Sequence, residues 1–450
     1  MVRFAILTVL TGAFAALAPA TIVHAEGPAS ETLLAQASAK KKPAAKKPAG
    51  KAAKEQSAAA VFNPERPWPQ FLGPNRDNRS LETGLARSWP ETGPKVVWTA
   101  EGLGNGYSAV SVADGLVFTM GAIGEDEHLI AIRLSSGEVA WKTRTGSRRG
   151  DGQGDGPRGT PAVDGDFVYG LGANGDLVCC EIKAGEVAWR KNILSAFEGN
   201  NIGWGISESP LVDGGRVVVS PGGAKGTIVA LDKLSGKTEW ATVAPERTDA
   251  GYASVVPIEV GGVKQYVQFL SRGVMGVRAS DGKALWGNNK AANGTANCSS
   301  ILYANNMVFS SSGYGTGAAM IKLAGTQATL GYFTKDMESH HGGMVLVDGH
   351  VYGASDPGIL RCIELSTGKK KWENRSVGKG AVTWVDGMLV LRSEGGPVAL
   401  VACQPDKYEE LGRFEPGDRS GRSTWPYPVV AAGKLFLRDQ EKMTAYDLAK

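Results

Sequence analysis

The stretch LIAIRLSSGEVAW, residues 129–141, is the first of five copies of one frame. The others are LVCCEIKAGEVAW ending at Trp189, IVALDKLSGKTEW at Trp240, VMGVRASDGKALW at Trp286 and LRCIELSTGKKKW at Trp372. Each copy has a Gly four residues before its Trp: Gly137, Gly185, Gly236, Gly282 and Gly368. Eight residues before the Gly the side chain is apolar (Leu129, Leu177, Ile228, Val274, Leu360). Six before, it is small (Ala131, Cys179, Ala230, Gly276, Cys362), and four before, it is charged (Arg133, Glu181, Asp232, Arg278, Glu364). Alternation with period two, a Gly turn and a second short apolar run predict a β-hairpin. The small position leaves room for close approach of a neighbouring strand or blade.

Working outward, a turn dipeptide between apolar runs precedes each such hairpin. These are Asp114-Gly115, Asp164-Gly165, Asp213-Gly214, Gly261-Gly262, Asn305-Asn306, Asp348-Gly349, Asp386-Gly387 and Ala432-Gly433. Eight turns some 45 residues apart predict eight units of four strands, an all-β, eight-bladed β-propeller of antiparallel blades. Units five and seven keep the strand rhythm without the Gly–Trp signature. The last unit, ending TAYDLAK, supplies three strands, and the orphan segment PKVVWTA with Trp98 supplies a fourth. Closure of the ring by this N-terminal strand removes a free edge. The once-per-unit Trp residues are read as blade packing, and Cys179 and Cys362 as small apolar fillers.

The frame resembles the repeat of the pyrroloquinoline quinone (PQQ)-like propellers, in an extracytoplasmic bacterial branch, over residues 95–450. WPQFLGPNRDN, GDGPRGTPAVDGD, ANGTAN, SSGYGTG and SHHGG add to that likeness. The family includes quinoprotein alcohol and sugar dehydrogenases and a scaffold protein of outer-membrane barrel assembly, so the fold alone does not give the function.

Residues 1–25, with Arg3, an apolar run and Val23-His24-Ala25, read as an export signal cleaved after Ala25, against the alternative of an uncleaved anchor. Residues 26–60 read as a disordered Ala/Lys/Pro-rich linker: a solvated spacer, or an electrostatic contact with an anionic envelope. Residues 61–94 are a lead-in segment. Residues 1–60 carry eight bases and three acids, which leaves 41 bases against 42 acids in the remainder. The body is therefore near neutral, and specific nucleic-acid binding loses its support. Five Cys cannot form a disulfide framework, and no Cys-x-x-Cys-His exists for an attached haem. No nucleophile–base motif or phosphate-cradling loop is present. The expected localisation is periplasmic or secreted, and the expected state is a monomer.

What the resemblance implies for chemistry is a quinone sandwiched by a Trp and, in many members, a disulfide between adjacent cysteines, with calcium and a catalytic Asp. Cys179-Cys180 is adjacent but falls on the repeat strand, where neighbours point to opposite faces. Glu208, Asn297 and Asp356 are candidate calcium ligands near the ends of inner strands. No cofactor is assigned; PQQ and calcium remain the candidates. The segment 151–156 resembles a calcium loop but lacks the bidentate acid, which favours an ordered rim loop. His340 and His341 should diverge on a strand, with one ring facing the funnel.

The inner ends of the units carry the candidate ligand-binding set: Tyr107, Arg158, Trp204, Glu208, Tyr252, Arg272, Asn293, Tyr314, His341, Arg392, Trp425 and Arg438. Aromatics and arginines at one mouth suit a polar, anionic or carbohydrate-like small molecule. The expected function is an exported propeller that binds a ligand in its funnel or an envelope protein on its faces, without catalysis. The alternative is a PQQ- and calcium-dependent alcohol or sugar dehydrogenase.

Overall fold

The repeated frame forms a β-hairpin in each of its five copies in the computed structural model, which describes residues 63–449. The segments read as export signal and linker lie outside the described residues. Among those described, eight antiparallel four-stranded sheets follow one another along the chain, and the single helix is the short Ile193–Phe197. No helix among them is long and apolar enough to cross a membrane.

Blade 1 runs from Ser111–Ala113 to Val139–Ser147, blade 2 from Ala162–Asp164 to Val187–Asn192, and blade 3 from Leu211–Asp213 to Thr238–Thr242. Blade 4 runs from Val256–Val260 to Ala284–Asn288, blade 5 from Leu302–Ala304 to Gln327–Thr334, blade 6 from Ser339–Val347 to Lys370–Asn374, and blade 7 from Gly380–Val385 to Glu410–Phe414. Blade 8 takes Val429–Ala431, Lys434–Asp439 and Lys442–Asp447 from the C-terminal end. Its fourth strand is Val96–Ala100, with Trp98 opposite Ala445 and Val96 opposite Tyr446. The ring closes as the sequence predicts.

The core lies between blades. Each of eight apolar clusters joins one blade to the next, as where Phe118, Met120 and Ala131 of blade 1 meet Val168, Val178 and Cys180 of blade 2. Cys179 faces the other way, among Tyr169, Val217 and Leu231, so the two thiols sit on opposite faces of one strand. The small position of the frame has a more specific cause than close blade approach. It is the cross-strand partner of the Trp: Ala131 opposes Trp141, Cys179 Trp189, Ala230 Trp240, Gly276 Trp286 and Cys362 Trp372. A large side chain there would compete with the indole for the same space.

The indoles tie neighbouring blades. Trp98 Nε1 donates to Leu134 O, Trp141 to Ile182 O at 2.8 Å, Trp189 to Lys233 O, Trp240 to Ala279 O and Trp372 to Gln404 O. Trp286 differs, donating to Gln265 Oε1 of its own blade. In blade 5, where the signature is lost, Tyr332 substitutes: its hydroxyl donates to Leu365 O of blade 6. Two turns differ by one residue from the expected dipeptides. Asp164 pairs with Phe167 and Asp213 with Arg216, so the tight turns are Gly165-Asp166 and Gly214-Gly215.

The lead-in segment fills the centre of the ring. Trp68 exchanges backbone bonds with Val112 of blade 1, and Pro69 O accepts from Val163 N of blade 2. The buried Arg76 guanidinium donates to Ser209 O at 2.5 Å, Pro210 O at 3.2 Å and Val255 O at 2.6 Å, on blades 3 and 4. Asn78 donates to Met344 O of blade 6 and Val382 O of blade 7. Arg79–Ser80 then pairs in parallel with blade 7, and Glu82 accepts from Gly433 N of blade 8.

Candidate functional site

A cavity of about 390 Å3 lies above this plug. Its walls come from the segments that enter the innermost strands: Tyr107 before blade 1, Arg158 before blade 2, Trp204 before blade 3, Tyr252 before blade 4 and Trp425 before blade 8. His340 and His341 open blade 6, and Tyr314 and Glu394 come from hairpin turns of blades 5 and 7. Phe71 of the plug supplies the floor, its ring 5.2 Å from that of Tyr427. Tyr314, 43% exposed, stands at the rim.

The wall is largely aromatic. Tyr107 and Trp425 have centroids 4.5 Å apart at 35°, and Trp204 and Tyr252 5.3 Å apart at 38°. Tyr314 lies 4.3 Å from the His340 ring, and His341 lies 5.3 Å from His340 and 6.1 Å from Trp425. Arg158 sits over Tyr107 at 5.3 Å. Below the aromatics runs a collar of hydroxyls. Thr160 N donates to Ser209 Oγ, Ser209 N to Ser254 Oγ, and Ser254 N to Ser300 Oγ. At Ser209, Ser254 and Ser300, two positions before the inner strands of blades 3, 4 and 5, the hydroxyl accepts from the backbone of the preceding blade, at positions that the repeat frame does not include.

Two imidazole–carboxylate pairs form the charged side of the cavity. His341 Nε2 lies 3.0 Å from Glu394 Oε2, which also accepts from Trp425 Nε1 at 3.3 Å. The hydrogen bond from His341 holds the Glu394 carboxyl down at about 2, while burial lowers the His341 pKa. His340 Nδ1 lies 3.0 Å from Asp356 Oδ2. Burial works to raise the Asp356 pKa, but His340 and Lys379 outweigh it and the net shift is downward. Lys379 Nζ stands between the pairs, 3.8 Å from Asp356 and 3.7 Å from Glu394.

Both histidines therefore line the cavity, where divergence was expected. The strand Ser339–Val347 breaks register between Ser339 and Met344, with Gly342 at φ +80°, and simple alternation fails there.

Of the twelve candidate residues, seven surround this cavity: Tyr107, Arg158, Trp204, Tyr252, Tyr314, His341 and Trp425. Five do not line it. Arg438 is spent between blades 8 and 1, donating to Met120 O at 2.8 Å and Gly104 O at 2.9 Å, and Arg392 donates to Arg438 O at 2.6 Å. Asn293 folds its own loop by accepting from Thr295 N and Ala296 N, both at 2.7 Å. Arg272 is exposed. Glu208 is buried, accepting from Ser220 N at 2.6 Å, Ser220 Oγ at 3.1 Å and Gln268 Nε2 at 3.0 Å. Lys379, Glu394, His340, Phe71 and Tyr427 join the site without having been among the twelve.

The candidate calcium ligands do not fit a shared ion. Glu208 is committed as above, with its pKa pushed up to about 7 by burial. Asn297 donates to Leu270 O and Ser271 O and accepts from Asn293 N, and Asp356 is held by His340. Among the described residues no group of three or more His, Cys, Asp or Glu could hold a metal ion. The 151–156 segment is a self-capped rim loop: Asp151 Oδ1 accepts from Gln153 N at 2.8 Å and Gly154 N at 3.1 Å.

A family model described as "Outer membrane protein assembly factor BamB" matches residues 82–203 and 144–374. The outer membrane protein assembly factor BamB of Kangiella koreensis is 28% identical over 138 residues, 30% of this chain and 31% of that protein. The match to this curated relative thus spans about a third of its length. Among solved structures, quinohemoprotein alcohol dehydrogenase from Comamonas testosteroni aligns with a TM-score of 0.63 at 13% identity, covering 87% of this chain and 82% of that one. BamB from Moraxella catarrhalis gives 0.51 at 14% identity, covering 73% and 93%. At such identities the structural likeness concerns the fold. The model match, by contrast, runs over more than half of the sequence, and the chain belongs to the family of PQQ-like repeat propellers that this model describes.

Proposed function

We propose that this chain is an extracytoplasmic binding propeller whose plugged funnel takes a polar, carbohydrate-like small molecule, without catalysis. The observation that carries the reading is the pairing of Tyr107 with Trp425 and of Trp204 with Tyr252 around a cavity of about 390 Å3. That volume suits one or two sugar rings. Aromatic faces stack on the apolar faces of such rings, and the surrounding histidines and hydroxyls can meet their edges. Export is supported by the leader-like residues 1–25 and by the outer-membrane name of the matching family. That name also supports a second reading, an envelope protein docked on a face of the ring.

The experiment is a titration of the purified protein with a panel of mono- and disaccharides, read by tryptophan fluorescence and calorimetry. A saturable signal that Trp204→Ala reduces at least tenfold supports the proposal. Absence of binding to every sugar overturns it, as does dye-linked alcohol oxidation on adding PQQ and calcium.

A further inference from the structure

The cavity's hydrogen-bonding inventory is lopsided. Its carboxylate, Glu394, is already engaged by His341 and Trp425, and the neighbouring Asp356 by His340. Its two cations are not held in the same way. Lys379 Nζ comes no closer than 3.7 Å to a carboxylate oxygen, beyond hydrogen-bond reach, and its side chain is 23% exposed. Arg158, 11% exposed and over the Tyr107 ring, makes only long hydrogen bonds: to Gly154 O at 3.2 Å, Gly156 O at 3.4 Å and Asp151 Oδ2 at 3.5 Å. A guanidinium in a good fork makes bonds of about 2.7–2.9 Å. Both cations thus retain donor capacity inside the cavity.

Their placement around the ring is equally specific. Arg158 enters with blade 2 and Lys379 with blade 7, and the segments between them, entering blades 1 and 8, supply the Tyr107–Trp425 pair. The arc therefore reads cation, aromatic, aromatic, cation, with the Glu394 carboxylate, already bonded to Trp425, beside Lys379. A sugar ring stacked on the aromatic pair would have a cation at each flank. Acidic substituents there would gain charge-assisted bonds that a hydroxyl would not.

We infer that the funnel selects an acidic saccharide, with its ring on Tyr107 and Trp425 and its anionic groups at Arg158 and Lys379. The inference rests on the carbohydrate reading above and adds the charge of the ligand. Carboxylate and phosphate share the required chemistry, so both are tested.

The full mature chain is titrated by calorimetry at pH 7 with digalacturonate, with glucose 6-phosphate and with the neutral disaccharide galactobiose, at low and at physiological salt. Wild type should bind one of the acidic sugars at least tenfold more tightly than the neutral one, with the preference shrinking as salt rises. Lys379→Gln and Arg158→Gln should each collapse that preference by about tenfold. Thermal melts establish that both variants are folded. Equal affinity for acidic and neutral sugars, or a preference that neither substitution alters, would overturn the inference while leaving the carbohydrate reading intact. Failure of all three sugars to bind would overturn both.

Discussion

Gly185 of blade 2 lies against the indole of Trp141 in blade 1, so closely that a Cβ at Gly185 would stand 2.6 Å from the ring. The relationship recurs around the propeller: Gly137 on Trp98, Gly236 on Trp189, Gly282 on Trp240 and Gly368 on Tyr332. The Gly and the Trp of one repeat therefore serve different interfaces, one packing on the blade before and the other on the blade after. Their fixed spacing in sequence records two contacts at once.

Gly185→Ala should accordingly destabilise the ring by about 2–4 kcal/mol, combining a positive φ of 72° with overpacking against the indole. Gly115→Ala is the control. Its φ is 74°, but nothing lies within 4 Å of the added carbon, so the loss should be only about 1 kcal/mol. Urea denaturation of the two variants measures the difference, and equal losses would show that the indole contact contributes nothing.

The plug offers a second test. Arg76→Met leaves the carbonyls of Ser209, Pro210 and Val255 without their donor and Glu208 without the nearby positive charge. A loss of about 3–5 kcal/mol is expected, as for breaking a buried charge pair. Arg76→Lys should recover little of it, since a single ammonium cannot replace a fork reaching blades 3 and 4. Full recovery by Lys would mean that charge alone matters.

Acid–base linkage gives a third. Burial pushes Glu208 and Glu127 up to about 7, so between pH 4.5 and 7 the folded state holds protons that the unfolded chain releases. Stability contributed by each is full below pH 4.5 and is lost as pH rises through 7, by up to about 3 kcal/mol for Glu208. Glu394 has the opposite sign. Held at about 2, it stabilises above pH 4.5 and loses that contribution as pH falls through 2. Solvent screening at its partly exposed position limits the effect to about 1 kcal/mol. Denaturation curves from pH 2 to 8 should show Glu208→Gln flattening the neutral limb and Glu394→Gln flattening the acid limb. Unchanged slopes would contradict these assignments.

The ring itself was legible because its determinants are local and repeated: a turn Gly, a Trp four residues on, a small residue opposite. Even the closing strand announced itself through the spare Trp98. Blade 5 was harder, since Tyr332 does the work of the Trp with a different side chain and a longer hairpin. The site was half legible for a physical reason. Position at the inner end of a strand does not tell whether a cation turns into the channel, as Arg158 does, or sideways to bond the next blade's carbonyls, as Arg438 does. Lys379, Glu394 and His340 act through partners far off in sequence or through a bulge, and no short window contains both members of such a pair. The plug escaped for the same reason: Asn78 bonds Val382 and Glu82 bonds Gly433, across some three hundred residues or more.

That last pairing bears on how the molecule is made. The segment around Arg76 and the strand at Trp98 are synthesised before any blade, yet their partners on blades 7 and 8 are among the last residues to emerge. The earliest-made part of the body must wait, with its apolar Phe71 and Trp98 short of their partners at Tyr427 and on blade 8, until the whole circle is available to receive it. Loop closure over such distances is slow and leaves sticky surface exposed in the interval. Final seating of the central segment and sealing of the circumference therefore become late, coupled events, and a chain truncated before blade 8 should be prey to proteases rather than a smaller working ring.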